Sequence, residues 1–147
     1  MNLLKDESVA ARILTTFPLL MHKVFGDFQP ACGALDLNKT HMKALMIICI
    51  ENDPYMTRVC HHMNMEKGSL TPVIDRLIRM NLVERRSNTE DRRKVNLRLT
   101  ELGQSLVQAN LHRAHRHILG KLKHLPREEV ERFKRALLVL HEITLKL

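Results

Sequence analysis

Apolar residues in the first half of the chain recur at helical spacing. From Ser8 to Phe28, the residues Ala10, Ile13, Leu14, Phe17, Met21, Val24 and Phe28 fall on one helical face. Pro18 lies inside that helix and is expected to kink it. Residues 29–36 hold Pro30 and Gly33 and read as a connection. Asn38 predicts an N-cap for a second helix running to about Glu51, with Met42, Leu45, Met46 and Cys49 as its buried stripe. Asn52-Asp53-Pro54 ends it. Two short helices follow, Tyr55 to Met63 and about Glu66 to Met80, the second with Leu70, Val73, Ile74, Leu77 and Ile78 on one face. Asn81 sits where a helix end favours a left-handed residue. Leu82 to Arg86 reads as a strand. Val95, Leu97 and Leu99, alternating with Asn96 and Arg98, read as a second, and the polar run between makes a hairpin. Thr100 can cap a long helix reaching about Lys123. Pro126 with Glu128 and Glu129 opens the last helix, where Val130, Phe133, Leu137, Leu140, Thr144 and Leu147 approach a heptad seam. The expected fold is mainly α with a small β-hairpin, and its middle is a helix-turn-helix followed by a wing.

Composition narrows the class. A chain of 147 residues suits one domain, able to bury roughly 68–70% of its unfolded surface without a disulfide or metal staple. At 44% hydrophobic and 27% charged it reads as a soluble globular protein. Aromatics are only 3%, which argues against single-strand binders that stack bases on rings. The apolar run Ala44 to Ile50 is too short to span a bilayer, and the N-terminus turns acidic before a signal-peptide core could form. Three cysteines without a C-x-x-C pair suggest reduced thiols in a cytoplasm. Nothing matches G-x-S-x-G, a P-loop, G-x-G-x-x-G or H-E-x-x-H, so no enzyme is expected.

The charge is unevenly placed. Residues 1–54 carry five basic and six acidic side chains, residues 55–100 carry ten and five, and residues 101–147 nine and five. The middle is thus a compact module of net +5, the footprint of a polyanion-binding surface or, more blandly, a solubilising one.

The runs Glu66-Lys67-Gly68-Ser69-Leu70-Thr71-Pro72-Val73-Ile74-Asp75-Arg76-Leu77, Leu82-Val83-Glu84-Arg85, Asp91-Arg92-Arg93 and Leu99-Thr100-Glu101-Leu102-Gly103 resemble the MarR family of winged-helix transcriptional regulators. The combination at these separations is specific; the outer helices match only in order and length. The resemblance implies a single MarR-type domain over 1–147. Residues 36–100 would form the DNA-binding lobe, and 1–35 and 101–147 a helical dimerisation region. It implies a homodimer with interlocked terminal helices, recognition helices in the major groove and wings in the minor groove of a near-palindromic duplex. The residues agree. Ser69 and Thr71 are short hydroxyl residues near a helix N-terminus, able to bond phosphates or base edges, and Arg76 lies one to two turns on, suited to a phosphate. Asp91 and Arg93 match the family's D-x-R wing tip, whose arginine is favoured in a narrow, negative minor groove. Arg92 and Lys94 add backbone contacts, and Lys67, Pro72 and Arg86 complete the candidate DNA-binding set. Pro72 is a departure, because it removes the donor to the Gly68 carbonyl; a shifted helix start or slight kink is expected.

Signals are less legible. The T-P pair is similar to the family's peroxide-sensing branch, which senses through a first-helix cysteine that this chain lacks. Cys32, in the connection, is the candidate redox residue, whereas Cys49 and Cys60 read as structural. His112 and His115 are spaced to share a metal, but Arg113 and Arg116 repel a cation, and the acidic partners of the family's zinc-responsive branch have no clear counterpart. Solvated histidines are the preferred reading, and no metal or cofactor is expected. Met21, Phe25, His41, Met42 and Met46 are the candidate lining of a small-molecule effector pocket, although methionines at helical spacing are more often plain core. The expected protein is a cytoplasmic, homodimeric repressor of transcription that binds double-stranded DNA and is released by a small-molecule or other signal, with no membrane partner. The alternatives are a metal- or redox-responsive regulator of the same fold, an architectural DNA binder, and a helical adaptor that does not bind DNA.

Overall fold

Among the described residues, eight elements follow in the order that the periodicity predicts: α1 (Val9–Phe25), α2 (Lys39–Glu51), α3 (Met56–Met63), α4 (Lys67–Arg79), β1 (Val83–Ser87), β2 (Val95–Leu99), α5 (Glu101–Leu122) and α6 (Arg127–Thr144). They come from a computed structural model that describes residues 8–31, 35–87 and 95–147. The chain forms two units: a lobe, Gln29–Arg113, and a second unit made of residues up to Phe28 with Ala114–Leu147.

The lobe holds the core. Leu70, Ile74 and Leu77 repeat at helical spacing, so α4 buries one face completely against Leu45, Ile48, Val59, Leu82, Val83 and Leu97. Each such side chain contributes roughly 1.5–3 kcal/mol by leaving water. Local chemistry sets the element ends. Asn38 starts α2 by a capping box: its Oδ1 accepts from the His41 N–H at 3.1 Å, and its own N–H donates to His41 Nδ1 at 3.3 Å. Asn52, Asn64 and Asn81 stand at the ends of α2, α3 and α4 with φ of 51°, 52° and 55°, the left-handed conformation that asparagine tolerates. At Asn81 the closure is a Schellman motif. The Leu82 N–H donates to the Leu77 carbonyl and the Asn81 N–H to that of Ile78, both at 2.9 Å. This use of the Leu82 N–H is why β1 begins at Val83, one residue later than the sequence pattern suggests.

The hairpin pairs antiparallel from Val83 opposite Leu99 to Ser87 opposite Val95. Leu97 and Leu99 point inward, but Val95 stays 44% exposed at the far end. The Leu97 N–H donates to the Pro54 carbonyl at 2.8 Å and Tyr55 bridges Asn96, so the entrance to α3 is tied to β2. Thr100 joins strand to helix. Its N–H donates to the Leu82 carbonyl at 3.1 Å, its hydroxyl donates to the Asn81 carbonyl at 2.6 Å, and the same oxygen accepts from the Gly103 N–H at 3.1 Å, capping α5. A Cβ on Gly103 would stand 2.0 Å from the Leu82 carbonyl oxygen, so only glycine permits this approach.

In the second unit, Ser8 Oγ caps α1 by accepting from the Ala11 N–H at 3.2 Å, and the helix runs unbroken through Pro18. His117 bonds the Val24 carbonyl at 2.8 Å, and Lys121 pairs with Asp27 at 2.7 Å. Ala11 is its one buried side chain among the described residues, and none of α6 is buried. One sequence expectation is corrected here. Cys49 does not lie on a buried stripe of α2; its thiol is exposed, because the burying face of that helix passes through Ala44, Leu45 and Ile48.

Candidate nucleic-acid interface

α3, the Asn64 turn and α4 form a helix-turn-helix, and the N-terminus of α4 is its open end. Lys67, Gly68 and Ser69 are all exposed there, with no acidic residue in the first turn. A Cβ on Gly68 would meet nothing within 4 Å, so packing within the lobe does not require the glycine. The Ser69 N–H donates to the Glu66 carbonyl at 3.1 Å, so the free N–H groups are those of Lys67 and Gly68; with the helix dipole, the Lys67 ammonium and the Ser69 hydroxyl they stand where an anion can approach. Thr71 is half-buried and its hydroxyl donates to the Lys67 carbonyl at 2.7 Å, which leaves its oxygen lone pairs as acceptors. Pro72 is exposed inside a continuous helix capped at Glu66, so the expected shift of the helix start does not occur. Gly68, whose carbonyl loses the donor that Pro72 lacks, is an exposed residue.

Most arginines of the lobe are already paired. Arg76 Nη2 donates to Asp36 twice, to the carboxylate at 2.5 Å and to the main-chain carbonyl at 2.6 Å. Arg85 pairs with Asp75 at 2.7 Å, Arg86 with Glu84 at 2.7 Å and Arg98 with Asp53 at 3.2 Å. Glu51 takes Arg58 and, at 2.8 Å, His62; the Arg58 hydrogen bond holds its carboxyl below the usual range. Lys67 and Arg79 carry no ion pair among the described residues. Exposed pairs of this kind are worth roughly 0–1 kcal/mol, so a phosphate can displace the carboxylate partner.

A groove of about 360 Å³ lies between the start of α3, the start of α4 and the hairpin, lined by Tyr55, Thr57, Lys67, Thr71, Arg85 and Val95. Sequence reasoning passed over Tyr55, Thr57 and Arg85; the basic residue closing Leu82-Val83-Glu84-Arg85 was the available signal. Asp91, Arg92, Arg93 and Lys94, the expected wing tip, lie outside the described residues, as does Cys32. Arg86 is exposed one residue before the end of β1.

The effector candidates fall in both units. His41 and Met42 are buried in the lobe, at 7% and 5% exposure, and Met46 packs partly buried against the same core. Met21 is exposed and Phe25 half-buried in the second unit, where Phe25 meets Phe28 edge to face at 6.2 Å. Burial lowers the pKa of His41, the adjacent Arg76 lowers it further, and Asp36 opposes both. His112 and His115 are exposed on α5. Among the described residues, no group of three or more His, Cys, Asp or Glu is placed to hold a metal ion, and no helix is long and apolar enough to cross a membrane.

A short hairpin packed behind a helix-turn-helix, with a long helix leaving its second strand, defines the winged-helix class. Residues 37–95 match the model of the MarR family, and the lobe belongs to that family. No curated protein matches the chain. Among solved structures, a MarR family protein from Bacillus stearothermophilus superposes with a TM-score of 0.66 at 20% identity, covering 92% of this chain and 89% of its own. MepR, a transcription regulator of the Staphylococcus aureus multidrug efflux pump MepA, gives 0.68 at 17%, covering 88% and 96%. Wild-type MarR of E. coli in its apo form gives 0.61 at 24%, covering 73% and 80%.

Proposed function

We propose that this chain is a transcriptional repressor that binds a near-palindromic duplex operator as a homodimer and leaves it on a small-molecule or other signal. The observation that carries the reading is the open N-terminus of α4, where Lys67, Gly68 and Ser69 are exposed beside a paired hairpin in a lobe of the MarR family. The exposed apolar residues Leu137, Leu140 and Ile143 of α6, in a unit with one buried side chain among its described residues, support self-association. The candidate contacts are Lys67, Ser69, Thr71, Pro72, Arg76 and Arg86 with the wing residues Asp91, Arg92, Arg93 and Lys94. Selection of bound duplexes from a random pool tests the reading. A two-half-site sequence with centres about 34–36 Å apart is expected. The logarithm of the association constant should fall with that of salt at a slope of about −5 to −9, as for about six to ten phosphate contacts per dimer. Turning one half-site to the opposite face of the duplex should reduce affinity to that of random DNA. A helical adaptor would show neither effect, and an architectural binder only the salt slope; insensitivity to half-site spacing defeats the proposal.

A further inference from the structure

Among the described residues, Arg76 is the one cation of the recognition helix paired with a residue far away in sequence. It reaches from the third turn of α4 to Asp36, the residue two before the α2 cap, and the two contacts there are chemically different. The main-chain carbonyl at 2.6 Å is neutral and fixed by the backbone. The carboxylate accepts at 2.5 Å but is 95% exposed, so water screens its charge and competes for its hydrogen bond. Only Nη2 is used. A phosphate, like a carboxylate, offers two anionic oxygens that the planar guanidinium fork can take. His41, buried and near enough for the Arg76 charge to lower its pKa, is committed to the Asn38 cap.

We propose that the Asp36 carboxylate is an internal stand-in for a DNA phosphate. It occupies Arg76 in the free protein and is displaced on the operator, while the Asp36 carbonyl keeps the guanidinium in place. The inference rests on the DNA-binding reading and adds a partner for Arg76 that sets how strongly the lobe holds any duplex backbone. The carboxylate suppresses binding to random DNA, since each subunit carries one phosphate-binding cation fewer until the operator displaces it.

Asp36→Asn tests this, because it removes the charge and keeps the main-chain carbonyl. On random duplex, where wild type leaves Arg76 on Asp36, each freed arginine adds one phosphate contact per subunit, so the salt slope of the dimer should steepen by about 1.8, whereas on the operator, where the carboxylate is already displaced, it should stay near that of wild type. The affinity advantage over wild type on random duplex should then grow by about twelvefold as salt is lowered from 200 to 50 mM. The same change in an Arg76→Ala background should leave the slope where Arg76→Ala alone puts it, with thermal melts showing that all variants fold. Equal steepening on random duplex in both backgrounds means that only net charge matters and overturns the proposal, as does an Asp36→Asn slope on random duplex equal to wild type. Wild type that binds no duplex at any salt overturns the DNA-binding reading itself, and this inference with it.

Discussion

Two glycines on α5 should respond to alanine in opposite directions, and the reason lies in one carbonyl. At Gly103 a Cβ would stand 2.0 Å from the Leu82 oxygen and 3.0 Å from its carbon, both backbone atoms that cannot swing away. Relief requires α5 to retreat by about 1 Å, a strain of the overpacking kind that costs about 1–3 kcal/mol. The same retreat pulls on two contacts made by Thr100, its N–H to the Leu82 carbonyl at 3.1 Å and its hydroxyl to the Asn81 carbonyl at 2.6 Å. Weakening these adds about 1–2 kcal/mol, and the helix propensity of alanine returns up to about 1 kcal/mol. Gly103→Ala is therefore expected to destabilise the fold by about 2–4 kcal/mol, and at roughly 2–4 °C per kcal/mol to lower its melting temperature by roughly 4–15 °C. At Gly120 a Cβ meets nothing within 4 Å, so Gly120→Ala keeps only the propensity gain, about 0.5–1 kcal/mol of added stability. Urea and thermal melts followed by circular dichroism read both. A Gly103→Ala protein as stable as wild type, or one that moves in the same direction as Gly120→Ala, refutes the close approach of α5 to Leu82.

Other expectations follow from the same geometry. Gly68→Ala should raise stability by up to about 1 kcal/mol yet weaken operator binding, because nothing in the lobe meets the new methyl and a duplex would; equal affinity would move the DNA away from this helix end. His41 is held neutral by burial, with its pKa below the ordinary 6.5, so the unfolded chain takes up a proton before the folded one. Folding stability should accordingly fall as pH drops below about 6.5 and level off beneath the lowered folded pKa, and His41→Gln, which can still complete the capping box, should flatten that part of the profile. Matching pH profiles for the two proteins in urea melts would show that the imidazole is not so confined. Wild type should sediment as a dimer at micromolar concentration, and Leu137→Glu with Leu140→Glu should shift it to monomer; a monomeric wild type would remove the two-half-site arrangement.

Local chemistry made much of this protein readable from its residues. The caps at Asn38 and Thr100, the left-handed Asn81 and the buried stripe of Leu70, Ile74 and Leu77 are each decided within a few residues, and all stand where the pattern put them. The alternation of Leu97 and Leu99 with Asn96 and Arg98 likewise marked the second strand, because period two is a property of the extended backbone itself. Contacts between distant segments were another matter. That Arg76 is bound by Asp36, forty residues earlier, depends on α2 and α4 sharing a core, and no spacing along the chain encodes it. Cys49 was misplaced for a similar reason: a helix packed on several neighbours chooses its buried face by where they stand, and apolar periodicity gives only a range of faces. The glycine of Leu99-Thr100-Glu101-Leu102-Gly103 was visible as part of a motif, but its purpose, to let a helix start rest on the Leu82 carbonyl, appears only once strand, turn and helix are folded together. Sequence determined the elements and their ends, because those energies are local; tertiary packing decided which charges are free and which face is buried, because those depend on what lies across the core.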